Sequence, residues 1–109
     1  MKSIRNFDEF VKEGIVKKIF PNKSRPEFLI KEAEQDHRYL LELIEKMGIN
    51  SLNANDYVKK GYDILMELIR AKMLLDGLNA SGLGAHEAEI SYLRNLGFKE
   101  QEVQFADQI

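Results

Sequence analysis

His37 and His86, with the charged residues beside them, are the side chains in this chain best suited to proton transfer or ligand binding at neutral pH. His37 follows Asp36 and precedes Arg38, and His86 is followed by Glu87 and Glu89. A metal centre needs three or four converging ligands, and these neighbours supply only partial sets with no H-E-x-x-H spacing, so no metal is expected. The chain has no cysteine, which removes thiolate nucleophiles and disulfides, and no serine stands near a histidine in a way that suggests a triad. Gly77, Gly82 and Gly84 surround a helix start where an anion can sit. The order is neither a P-loop nor a dinucleotide fingerprint, because no strand is expected before it and no lysine follows it. Asp63, Glu67 and Arg70 share a helix face, and Glu67 with Arg70 forms an i,i+3 pair. Acid–base work by paired carboxylates requires burial to separate their pKa values, and this face is predicted to be wet. His37 is expected at a packing seam and His86 closing the glycine loop. Tyr39, Tyr57, Tyr62 and Tyr92 are expected as core-edge aromatics. No cofactor is called for.

Composition bounds the rest. A chain of 109 residues, 44% hydrophobic and 31% charged, makes one globular domain. It contains no apolar run of about 18 residues, so no membrane span is expected. Asp8, Glu9 and Lys12 interrupt any secretory leader, and together with the missing cysteines this suggests a cytoplasmic protein. The net charge of −2 is unevenly laid out: residues 1–26 carry seven Lys/Arg against three Asp/Glu, and the remainder nine against fifteen. A basic N-terminal arm can touch nucleic acid or an acidic partner, whereas the acidic bulk makes a poor non-specific nucleic-acid binder.

The elements that must position these residues are helical. The organising stretch is 57–96. Tyr57, Gly61, Ile64, Leu68, Ala71, Leu75 and Leu78 fall at alternating steps of four and three, one apolar stripe along a long helix. Before it, residues 3–13 read as a short helix stopped by Gly14, and residues 15–20 as an irregular connector. A lone strand there would have nowhere to place its backbone hydrogen bonds. Ser24 and Glu27 make a capping box for a second helix over 25–47, with Leu29, Ala33, Leu40, Leu43, Ile44 and Met47 inward. Asn53 or Asn55 caps the third helix, to about Leu78. A fourth helix over 85–96 ends at Gly97, after which Phe98 re-enters the core. A fifth opens at Glu100 with the stripe Val103, Ala106 and Ile109. The expectation is an all-α, antiparallel up-and-down bundle of four to five helices, one domain over 1–109, with 1–24 a short helix plus connector arm and 25–109 the bundle.

Three segments carry a family resemblance. GIVKKIFPNKSRPEFLIKEAEQDHRYL is similar to the opening of HEPN domains, where a proline turn leads into a helix with an A-x-x-D core. GYDILMELIRAKMLLDGLNASG resembles their central helix, with a tyrosine, a small residue near Ala71 and a glycine-ended tail. AHEAEISYLRNLGF resembles the next helix, opened by histidine and closed by glycine and an aromatic. The resemblance spans most of residues 14–98. It implies a homodimeric helical binding module whose ligand is RNA, a nucleotide or a partner nucleotidyltransferase. Some members are RNases of toxin–antitoxin pairs, with an Arg-x4–6-His motif in which arginine holds phosphate and histidine moves a proton. No such spacing occurs here: Arg94-Asn95 is an R-N pair with no histidine after it. No catalytic residue is therefore transferred, and the chain as given is not expected to be an active nuclease. Asp36 takes a position where relatives keep a polar residue, and with His37, His86 and Arg94 it completes the binding candidates. The alternatives are an RNase whose motif lies beyond Ile109, and a structural or antitoxin-like bundle.

Overall fold

The computed structural model describes residues 3–109. Its elements are α1 (Phe7–Lys12), β1 (Val16–Lys18), α2 (Ser24–Met47), α3 (Ala54–Leu75), β2 (Leu78–Ala80), α4 (Ala85–Ser91), a 3₁₀ segment (Tyr92–Leu96) and α5 (Glu100–Gln108). The chain is predominantly helical, and no helix among the described residues is long and apolar enough to cross a membrane.

α3 is the axis, buried on two sides rather than one. Tyr57 and Ile64 meet Ala33 and Leu40 of α2 in one cluster. Met66, Ile69 and Met73 join a second, larger cluster with Ile4, Phe7, Phe10, Val16, Ile90, Leu93 and Val103. The predicted single stripe is therefore corrected. Leu68 and Leu75 keep 41% and 39% of their surface exposed, while Leu40 is buried as expected. On α2, Leu29, Leu43 and Ile44 are half-buried and Met47 is exposed, because α3 is the main element packed along that helix's length among the described residues. The radius of gyration, 15.2 Å, exceeds the roughly 13 Å of a compact chain this long. Among the described residues, α2 contributes nothing to the larger cluster.

The connector does find a partner. β1 pairs antiparallel with β2, in register Val16↔Ala80, Lys17↔Asn79 and Lys18↔Leu78. The ladder is continued by the Ile19 N–H to the Gly77 carbonyl at 2.8 Å and the Ser81 N–H to the Ile15 carbonyl at 3.1 Å. One strand precedes α2 and the other follows α3, so the pair ties together the base of the hairpin. This is why α3 stops at Leu75 rather than near Leu78, and why a strand does lie beside the glycine loop. Gly77 has φ +77°, and a Cβ there would stand 3.0 Å from the Ile19 carbonyl oxygen, so the turn into β2 admits no side chain without adjustment.

Other local expectations are revised by capping. Ser24 is the first helical residue of α2, and Asn22 Oδ1 accepts both its N–H (2.9 Å) and its hydroxyl (2.8 Å), so the Ser24–Glu27 box does not form. Asn53 leads into α3, its Oδ1 accepting the Asn50 N–H while Asn50 Oδ1 accepts the Asn53 N–H. The fourth helix tightens to 3₁₀ geometry after Ser91 and ends at Gly97 in the left-handed region. Phe98 stays 41% exposed instead of entering the core, and Ile109 is likewise open, whereas Val103 and Ala106 are buried.

Candidate functional site

The four candidates from the sequence fall in three separate places. Asp36 lies on α2 in a cleft shared with Tyr39, Lys60, Asp63 and Ile64. Burial pushes the Glu67 carboxyl of α3 above its ordinary value, and Asp36 and Glu32 of α2 add to the shift as nearby negative charges. Glu67 is thus at the α2–α3 seam, not on a wet opposite face. His37 is exposed, one position round α2 from Asp36, rather than a half-buried seam residue. Among the described residues no three His, Cys, Asp or Glu side chains converge to hold a metal ion.

His86 stands in the first turn of α4, and its ring reaches α3 rather than closing the glycine loop: Nε2 pairs with the Tyr62 hydroxyl. Burial, then the carboxylates of Asp107 and Glu89, pushes the Tyr62 phenol up. His86 also lines a cleft of about 320 Å³ with Ser3, Ile4, Gly84, Glu87 and Asp107. Of the other tyrosines, Tyr57 and Tyr92 are buried and Tyr39 is 57% exposed. Tyr92 donates to Asp76, and its phenol is pushed up to about 12 by burial and by that bond.

Arg94 is a clamp. Its Nε and Nη2 hold both oxygens of Glu100 at 2.8 Å, while Nη1 and Nη2 donate to the Arg5 and Ile4 carbonyls at 2.9 Å. A guanidinium bonded on all three nitrogens is not presented to a phosphate. The bonds from Arg94 and Gln104 hold the Glu100 carboxyl down at about 2. A folded-state pKa below the ordinary 4.5 means the contribution is complete above that value and is lost as pH falls from there towards about 2. The Tm difference between the native chain and Glu100→Gln is therefore expected to be largest above about pH 5 and to vanish near about pH 2. A difference that persists undiminished at the acid end rules this clamp out as its source.

Two further clefts are built from residues outside those four candidates. One, of about 330 Å³, is lined mostly by apolar side chains, Leu65 of α3, Leu93, Phe98, and Phe105, Ala106 and Ile109 at the C-terminal end, with Gln101 and Glu102 of α5 beside them. The other, of about 170 Å³, lies where the first turn of α2 meets α3 and β2, and is lined by Arg25, Arg70, Asn79 and Glu89 over Met73, Leu74, Leu78 and Ala80. Arg70 Nε donates to Glu89 Oε2 at 2.8 Å, and the Glu89 side chain is only 7% exposed against 43% for Arg70. Arg70 is thus taken from its expected pairing with Glu67. Glu89 had a legible signal, a lone carboxylate within the run Ala88 to Leu93 that is otherwise free of charge.

The fold and these clefts define a mostly helical protein in which one long helix separates two cores. Comparison with protein-family models, curated proteins and solved structures finds no match to this chain.

Proposed function

We propose that this chain is a HEPN-like helical binding module that works as a homodimer and takes RNA, a nucleotide or a nucleotidyltransferase as its ligand. The observation that supports this reading best is the apolar surface running from Leu65 on α3 to Phe98, Phe105 and Ile109. Phe105 keeps 64% of its surface exposed, in a cleft whose walls are mostly apolar. Apolar surface gathered into a cleft marks an association site more often than scattered exposed residues do. Self-association through this face buries it and leaves the charged outer face of α2 for a second partner.

Light scattering on the purified chain tests the dimer, with a mass twice that of the 12.6 kDa protomer expected. Phe105→Asp is expected to return the mass to that of one chain, because self-association then buries an unpaired charge in an apolar contact. Fluorescence anisotropy with a labelled single-stranded RNA tests the ligand. A native chain that remains a monomer at high concentration, or a Phe105→Asp chain that remains a dimer, counts against the reading.

A further inference from the structure

We propose that the cleft between Arg25, Arg70 and Glu89 is a binding site for a small organic carboxylate. The site stands apart from the apolar surface just described. Leu65 and Arg70 are five residues apart on α3, about 140° around the helix, so they face different flanks.

Three elements build it: Arg25 from the first turn of α2, Arg70 from α3, and Asn79 from β2. Among the described residues the Arg25 side chain has no ion pair or hydrogen bond, although it lines the cleft. Arg70 engages Glu89 through Nε, and that bond fixes the guanidinium while its two terminal nitrogens remain as donors. Two guanidiniums against one carboxylate leave the cleft with a single positive charge. A monoanion balances it. A phosphomonoester dianion would bring surplus negative charge beside the buried Glu89 carboxylate, where repulsion is least screened. The planar fork of a guanidinium also matches a carboxylate in two parallel bonds. Leu78, half-buried, offers apolar surface for the rest of the ligand above the buried Met73 and Leu74. The size agrees, since about 170 Å³ is close to the ~150 Å³ that accommodates a benzene ring.

The test is a titration of the ¹⁵N-labelled full chain with sodium benzoate and, in parallel, with inorganic phosphate. Benzoate is expected to move the amide signals of Arg25, Arg70 and residues 78–80 saturably, with phosphate binding more weakly. Arg25 is exposed and unpaired, so Arg25→Gln keeps the fold, and it is expected to weaken benzoate about tenfold through loss of a charge-assisted bond. The proposal is overturned if benzoate gives no saturable shift, if Arg25→Gln leaves its affinity unchanged, or if phosphate binds the same residues more tightly.

Discussion

Replacing Phe10 by alanine is expected to destabilise the protein by about 3–5 kcal/mol. Phe10 is 0% exposed and belongs to the larger cluster with Met66, Ile69, Met73 and Ile90. Its ring also carries the Arg5 guanidinium, 4.5 Å from the centroid, and Arg5 is held there by Glu13 at 2.9 Å and Glu87 at 3.5 Å. One turn earlier, Phe7 meets Tyr92 with ring centroids 4.7 Å apart. Removing the Phe10 ring loses its transfer free energy and leaves a cavity, because α1, β1 and α4 cannot all close on it at once. Against a total of about 5–15 kcal/mol for a domain, the loss shifts Tm down by roughly 10–20 °C. Phe20→Ala is the control: that ring is 94% exposed, so its loss is expected to stay within about 0.5 kcal/mol. Thermal and denaturant unfolding measure both. Equal small effects from the two variants would mean that α1 is not docked as described.

The N-terminal segment shows why a reading of the sequence goes only part of the way. Its basic character is a matter of counting, and the face shared by Ile4, Phe7 and Phe10 follows from helical spacing. What spacing cannot supply is a partner far along the chain. Val16–Lys18 has the look of an orphan because its mate, Leu78–Ala80, lies beyond the whole α2–α3 hairpin. The mate in turn is camouflaged by Leu78, which continues the stripe of the helix before it. Non-local pairing of this kind leaves no periodic trace in either segment.

The long helices are the reverse case. Their existence follows from period and punctuation, and α2 and α3 stand close to where Gly48 and the asparagines suggest. Their burial is less legible. A single stripe is what a helix at the edge of a bundle shows, whereas α3 lies between two cores, so Met66, Ile69 and Met73 on a second side also count as interior. A stripe extended to Leu68 and Leu75 needs neighbours that the chain does not place there. The candidate site suffers in the same way. Residue type singles out His37 and His86, and the family resemblance Asp36 and Arg94, but which guanidinium is free depends on what surrounds it. Arg94 is consumed by Glu100 and two carbonyls, while Arg25, unremarkable in sequence, is left open.

Arg70→Ala is expected to cost about 2–3 kcal/mol, the larger part of it through Glu89. The Glu89 side chain retains 7% of its surface and Arg70 retains 43%, so it is the carboxylate that depends on its partner in place of water. A fully buried pair broken on one side loses about 3–5 kcal/mol, and the lower figure here follows from the cleft, through which water reaches the vacated position. Glu89→Gln is expected to cost less, about 1 kcal/mol, since a neutral amide still accepts a bond from Arg70 and leaves no charge buried. The double variant Arg70→Ala/Glu89→Gln should then be more stable than Arg70→Ala alone, because the second change removes the charge that the first stranded. Denaturant unfolding of the four chains closes this cycle. If the double variant loses the sum of the two single effects, the pair is not coupled, and the stability lost with Arg70 must come instead from its aliphatic stem packing on the helix surface.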